Sequence, residues 1–274
     1  MDSKTKYELC LDSLKKYLSA AGFNDVVIGL SGGIDSALVA VMCADALGAK
    51  QVHGVLLPGP YSSAHSIEDA KALSDNLEIE YEIVSIVEPY EAFERVLSQG
   101  GRLKLEGLTS ENIQARCRMV CIMALANRHG WLMINTGNKS EAMMGYSTLY
   151  GDTAGAFAPL GGLYKKDVYA LSKWRNKLSV SRGEIPPIPN NSIEKAPSGE
   201  LSPHQEDEHA FGMSYADLDT ILIALVEQRK SIEEIKALGY PKEDIERIQK
   251  TVSKNAFKRA LEPPFPKHPF YASV

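Results

Sequence analysis

Ile28-Gly29-Leu30-Ser31-Gly32-Gly33-Ile34-Asp35-Ser36-Ala37 stands where a short β-branched run, Val26-Val27-Ile28, turns into a helical stretch, Ser36 to Leu47, that Gly48 closes. A buried strand passing through paired glycines into a helix gathers backbone N–H groups and the positive end of the helix dipole at one point, which is an anion-binding arrangement. Gly32 and Gly33 permit positive φ and close backbone approach, and Ser31 and Ser36 add hydroxyl donors. Asp35 repels a phosphate there unless a divalent cation lies between them, so the pattern points to magnesium. Its plainer reading is a first-turn acid that complements the helix dipole. No G-x-x-x-x-G-K-[ST] occurs, which excludes a Walker-type loop, and no G-x-G-x-x-G follows a strand, which excludes the dinucleotide fingerprint.

The alternation continues outward from this loop. A second strand run, Val52 to Leu57, a helix from Ser66 to Leu77 and a third run, Tyr81 to Val84, complete a βαβαβ pattern. A long helical region from about Thr109 to Arg128 then precedes Trp131-Leu132-Met133-Ile134-Asn135, the expected fourth strand. The fold class is therefore α/β, a parallel sheet flanked by helices. Upstream, Tyr7, Cys10, Leu11, Leu14, Tyr17, Leu18 and Ala21 recur at helical spacing and stop at Gly22. Downstream, glycine-rich 151–162 leads to a helix near Lys165 to Leu178. A Pro-, Asn- and Ser-rich stretch, about 185–203, reads as an irregular loop. The remainder, about 204–261, reads as helical, with capping boxes at Ser214-x-x-Asp217 and Ser231-x-x-Glu234 and with Pro241 suited to a first helical turn. The whole chain, 1–274, is expected to form one domain with its α/β core at about 22–180.

Composition excludes several classes. In 274 residues, 44% are hydrophobic and 24% charged, as in globular proteins. Thirty Lys and Arg against 35 Asp and Glu give a net charge of −5, so no global attraction favours nucleic acid. The longest apolar runs, Ala37 to Ala44 and Met119 to Ala126, are too short to span a membrane, and the opening residues lack an apolar signal region. Cys10, Cys43, Cys117 and Cys121 form no C-x-x-C pair, which fits reduced thiols in a cytoplasmic protein. Cys117 and Cys121 share a helix face without a histidine at zinc spacing and read as core. His204 and His209 flank Gln205-Glu206-Asp207-Glu208 without forming H-E-x-x-H. Asn190-Asn191-Ser192 and Asn138-Lys139-Ser140 match the glycosylation pattern by chance.

Ser31-Gly32-Gly33-x-Asp35-Ser36 after a first strand resembles the pyrophosphatase loop of the ATP-cleaving amidating and thiolating enzymes, among them NAD, GMP and asparagine synthetases. Glu111-Asn112-Ile113-Gln114-Ala115-Arg116-Cys117-Arg118-Met119, Thr136-Gly137-Asn138-Lys139-Ser140-Glu141 and Gly145-Tyr146-Ser147-Thr148-Leu149-Tyr150-Gly151-Asp152 narrow the likeness to the NAD synthetase family. Val55-Leu56-Leu57-Pro58 with Tyr61-Ser62-Ser63, Ala196-Pro197-Ser198-Gly199-Glu200-Leu201, Gln205-x-Asp207-Glu208 and Phe257-Lys258-Arg259 extend it across nearly the whole chain. The resemblance implies an adenine nucleotide alpha hydrolase-like, Rossmann-like fold. It also implies an AMP-forming ligase of NAD biosynthesis that joins ammonia to the nicotinate carboxylate of deamido-NAD through an adenylated intermediate. ATP is the co-substrate and Mg²⁺ the metal.

Carried over residue by residue, the resemblance implies ATP binding by Gly29, Leu30, Ser31, Gly32, Gly33, Asp35, Ser36, Leu57, Thr136, Lys165 and Ser198. It implies deamido-NAD binding by Arg116, Glu141, Tyr146, Ser147, Thr148, Leu149 and Lys258, metal binding by Asp35 and Glu141, and catalysis by Asp35 and Lys165. Plainer readings stand beside these. Glu141 is also a helix-start acid, Thr136 a strand-end cap, Lys165 and Ser198 surface residues, and Lys258 a complement to the macrodipole. Arg116 and Arg118, two apart on a helix, cannot serve one contact, and the family pattern selects Arg116.

The pattern departs from that of the small ammonia-dependent enzymes at Leu149 and Ala156, where those carry a lysine and an aspartate. This version is similar to the synthetase domain of glutamine-dependent NAD synthetases. The roughly nineteen helical residues before Gly22 cannot hold a glutaminase, so the expected nitrogen donor is free ammonia or ammonia from a separate glutaminase. A homodimer is implied by the family, with no nucleic-acid or membrane partner. A tRNA thiolase with the same loop is the alternative, but it requires a basic face and paired cysteines. A nucleotide-binding subunit without catalysis is the other, and Asp35 with Glu141 argues against it. The aromatic segment around Phe265, Phe270 and Tyr271 reads either as a cover for a subunit neighbour or as a fraying end.

Overall fold

Four parallel strands, β1 (Val26–Gly29), β2 (Val52–Leu56), β3 (Glu80–Ile83) and β4 (Leu132–Met133), form one sheet in the order β3-β2-β1-β4. The computed structural model describes residues 1–98, 102, 104–203 and 205–271. His204 lies outside them. The strands pair in register Val26 with Val52, Val26 with Leu132, and His53 with Glu80. Two crossovers run from β1 to one side and the chain returns to pair β4 on the other, so a crevice opens between the ends of β1 and β4.

The helices are α1 (Ser3–Ala21), α2 (Ile34–Leu47), α3 (Ala64–Leu77), α4 (Val87–Leu97), α5 (Leu108–His129), α6 (Lys139–Met144), α7 (Lys165–Ser181), α8 (Asn190–Glu194), α9 (Asp207–Phe211), α10 (Tyr215–Leu222), α11 (Ile232–Lys236), α12 (Lys242–Lys254) and α13 (Ala256–Arg259). Alternation along β1, buried from Val26 to Ile28, sends Val26 and Ile28 to the core under α1, α2 and α7, and Val27 to the core on the α5 side. Every residue of α2 from Ile34 to Cys43 except Asp35 is buried, which accounts for the continuous apolar run. A third core of Tyr164, Phe211, Leu218, Ile235, Ile245 and Ile248 packs the C-terminal helices.

Several expectations need correction. The fourth strand keeps only Leu132 and Met133 of the run 131–135: Ile134 N still donates to Val27 O at 3.0 Å, but Ile134 also bridges Phe157, and at Asn135 the backbone N–H goes to Phe157 O and the side chain to the backbone of Asp152 and Ala154. The loop 185–203 contains α8, whose Ser192 is buried with its hydroxyl donating to Gly32 O at 2.9 Å. Ser231 and Glu234 form a reciprocal capping box. Ser214 caps Asp217 N, but its hydroxyl, not its backbone, meets the Asp217 carboxylate. Pro241 is the N-cap of α12 rather than a residue of its first turn.

Candidate active site

At the mouth of β1 the chain leaves the sheet with Leu30 N donating to Val55 O at 2.8 Å. Gly32 adopts φ +76, and a Cβ there would stand 2.2 Å from the carbonyl oxygen of Ser66. Gly33, by contrast, has φ −81 and is the N-cap of α2, so only the first glycine of the pair is demanded by the backbone. Ser36 ties the loop by accepting from Ser31 N at 3.2 Å and donating to Gly33 O at 3.1 Å. Among the described residues no acceptor takes the N–H groups of Gly32, Ile34, Asp35 or Ser36, leaving a cradle of donors at a helix N-terminus. Gly32→Ala is expected to destabilise the protein by at least about 2 kcal/mol, from the left-handed backbone and the clash with α3. Gly33→Ala is expected to cost little. Urea unfolding of the two variants side by side reads the difference.

Beside the cradle, Lys165 Nζ lies between two carboxylates, 2.5 Å from Asp35 Oδ2 and 3.1 Å from Glu141 Oε1. It also sits 5.0 Å from the centroid of the Tyr215 ring. Asn138, the N-cap of α6, donates to Asp35 Oδ1 at 2.8 Å and accepts from Glu141 N at 3.1 Å, so one buried amide sets both acids. Lys165 opens α7, whose N-cap Tyr164 supplies no side-chain acceptor. Lys165 N donates instead to Ser140 Oγ, and Lys166 N donates to Asp219, which also accepts from Ser140 at 2.5 Å. Burial alone would push the Lys165 ammonium down, but Asp35 and Glu141 override it and hold the group above the ordinary lysine range. Burial, with Asp35 and Asp207 nearby, pushes Glu141 up to about 7 against the pull of Lys165.

These groups wall a cavity of about 400 Å³, the size of a small-molecule site. Gly29, Leu30, Ser31, Gly33, Asp35, Leu57, Thr136, Glu141, Tyr146, Ser147, Thr148, Lys165, Ser198 and Lys258 line it. Gly32 and Ser36 lie behind the lining and shape the loop. Arg116 and Leu149 are not in the lining: Arg116 Nε donates to Leu149 O at 3.2 Å. Arg118 is in the lining instead. Its Nε donates to Leu57 O at 3.0 Å, and among the described residues neither Nη is bonded, although burial pushes the guanidinium down. Lys258 reaches the carbonyls of Gly145 and Ser147 at 2.7 and 2.5 Å. Asp152 accepts from Thr148 N at 2.6 Å and closes the turn 148–152 that follows them.

The site contains residues that the motifs did not single out for a role. Asp207 is buried and accepts from the Tyr215 hydroxyl at 3.1 Å through one oxygen, and among the described residues the other has no partner. Among the described residues Ser147 Oγ likewise has no partner, and buried polar atoms left unpaired in the lining of a cavity suit the complementary groups of a ligand; Gln114 Oε1, also without one, lies outside the lining. Glu200 crosses from the loop 185–203 to the N-terminus of α3, accepting from Ser63 N and from the hydroxyls of Ser63 and Ser66. Among the described residues no three His, Cys, Asp or Glu converge on a metal. Asp35 and Glu141, each about 20% exposed at its side chain, suit a cation that takes its other ligands from phosphate and water.

Residues 6–262 match the family model described as NAD synthase. A glutamine-dependent NAD(+) synthetase of Thermotoga maritima is 42% identical over 253 residues, covering 92% of this chain and 43% of its own. An NH(3)-dependent NAD(+) synthetase of Wolinella succinogenes is 38% identical and is covered over 92% of both chains. The solved structure of an NMN synthetase from Francisella tularensis superposes with a TM-score of 0.78 at 30% identity, covering 94% of this chain and 96% of its own. The chain spans about half the length of the glutamine-dependent relatives that it matches. No helix among the described residues is long and apolar enough to cross a membrane.

Proposed function

The chain belongs to the NAD synthase family, and on that footing we propose that it is an ammonia-dependent NAD synthetase, amidating deamido-NAD with ATP to give NAD, AMP and pyrophosphate. The observation that carries the reading is Lys165 held between Asp35 of the glycine loop and Glu141, beside a cradle of unpartnered N–H groups. Phosphate oxygens are the complement to that cradle. The loop N–H groups with Ser31 hold the pyrophosphate end of ATP, while Leu57, Thr136 and Ser198 contact the nucleoside end. The Lys165 ammonium offsets charge that develops on the α-phosphate as the nicotinate carboxylate attacks it and pyrophosphate departs. Ammonia then attacks the acyl-adenylate carbon, forming the C–N bond as the C–O bond to AMP breaks. Tyr146, Ser147, Thr148 and Lys258 orient deamido-NAD, and the open fork of Arg118, rather than Arg116, meets an anionic group of the substrates.

Asp35 and Glu141 would hold Mg²⁺, which when bound neutralises phosphate charge. Ammonia as donor is supported by the likeness to the Wolinella enzyme over 92% of both chains. A separate glutaminase supplying it, a homodimer and a cytoplasmic location belong to the same reading, and four unpaired cysteines fit a reducing compartment. The likeness to the Francisella NMN synthetase over nearly all of both chains favours one second reading, in which the amidated product is the mononucleotide. Incubation with ATP, Mg²⁺ and ammonium, with deamido-NAD or nicotinate mononucleotide as acceptor, separates the two. NAD with stoichiometric AMP is expected. ADP as product, or turnover with the mononucleotide alone, would overturn the reading.

A further inference from the structure

The segment 263–271 does not fray. Ala158 N donates to Pro264 O at 2.9 Å, Phe265 lies against Gly161, and Phe270 is buried in the main core. The segment ends on Tyr271, whose ring meets Tyr164 edge-on at 4.9 Å. Its hydroxyl accepts from Tyr164 N at 2.9 Å and donates to the Asp167 carboxylate. Lys6 of α1 donates to the other Asp167 oxygen at 2.7 Å and lies 4.5 Å from the Tyr271 ring centroid. Tyr164 and Asp167 bracket Lys165, and this first turn of α7 has no cap of its own. The N–H groups of Lys165, Lys166 and Tyr164 are satisfied from outside, by Ser140, Asp219 and Tyr271, and that of Asp167 by Tyr164 O.

We propose that Tyr271 is a positioning residue for Lys165: the two hydrogen bonds of its hydroxyl clamp the start of α7 and so hold the lysine between Asp35 and Glu141. This rests on the proposed function, because the clamp matters to turnover only if Lys165 serves the reaction. Tyr271→Phe keeps the ring and removes both hydrogen bonds, and Phe270→Leu loosens the same segment without touching them. Tyr271→Phe is expected to lower kcat about 10-fold with KM for deamido-NAD unchanged and only a small fall in Tm. Phe270→Leu is expected to lower Tm while kcat, measured well below Tm, stays at wild type. A merely structural brace would make both variants behave alike, and that outcome, or a Tyr271→Phe kcat within twofold of wild type, overturns the proposal. If the wild-type chain forms no NAD, the functional reading fails and hydrogen exchange still tests the clamp. The amides of 164–166 should exchange about 10-fold faster in Tyr271→Phe than in wild type, and unchanged protection there refutes it.

Discussion

Lys165→Met is expected to lower turnover of NAD formation by about 10³-fold, in the range seen when a group that stabilises transition-state charge is removed. It is also expected to destabilise the fold. The lysine side chain is only 3% exposed and separates two carboxylates, so its loss leaves Asp35 and Glu141 facing each other with nothing between. Breaking a buried pair by removing one partner costs about 3–5 kcal/mol. Because the ammonium is held above the ordinary lysine range, its stabilising contribution is full at neutral pH and fades only as pH rises through and beyond that range. Steady-state kinetics and urea unfolding at pH 7 measure the two effects. Turnover within tenfold of wild type would remove Lys165 from the reacting centre.

Glu141→Gln is expected to move activity and stability in opposite directions. Activity falls by about 10²-fold or more, because one of two acids poised for a phosphate-bound cation is lost. Stability responds to pH through the raised carboxyl. The folded protein holds the Glu141 proton up to about pH 7, whereas the unfolded chain releases it near 4.5. The group therefore contributes stability in acid that disappears as pH rises through 7. The neutral amide escapes that loss, so the variant should exceed wild type by about 1–3 kcal/mol at pH 8 and match it near pH 4. Unfolding curves at the two pH values check the sign. A variant less stable than wild type at pH 8 would mean that the Lys165 pairing outweighs the burial of Glu141.

Local geometry made the glycine loop legible before the fold was known. A strand, paired glycines, an acid and a buried helix are contiguous in sequence, so residues 28–37 imply their own arrangement. Helical phase also excluded one of Arg116 and Arg118 from the cavity, but it carries no information on which face meets the substrate. The packing of α5 turns Arg118 inward and sends Arg116 to Leu149 O. Asn138 looked like a chance glycosylation match, because its tie to Asp35 joins positions 103 apart. Asp219 and Tyr271, which hold the start of α7 from α10 and from the final segment, were silent for the same reason. The shortening of β4 follows from Asn135, whose N–H turns from β1 to Phe157 O and whose side chain binds Asp152 and Ala154, a competition that a run of apolar residues cannot disclose.

Deamido-NAD carrying oxygen-18 in both positions of its nicotinate carboxylate, turned over with ATP, Mg²⁺ and ammonium, tests most directly whether this cradle serves cleavage between the α and β phosphates. Attack of the carboxylate on the α-phosphorus, with pyrophosphate leaving against the loop, places one labelled oxygen in the phosphate of each AMP formed and none in pyrophosphate. Unlabelled AMP, or ADP accompanied by labelled orthophosphate, would contradict the adenylated intermediate and with it the role given to Asp35, Glu141 and Lys165.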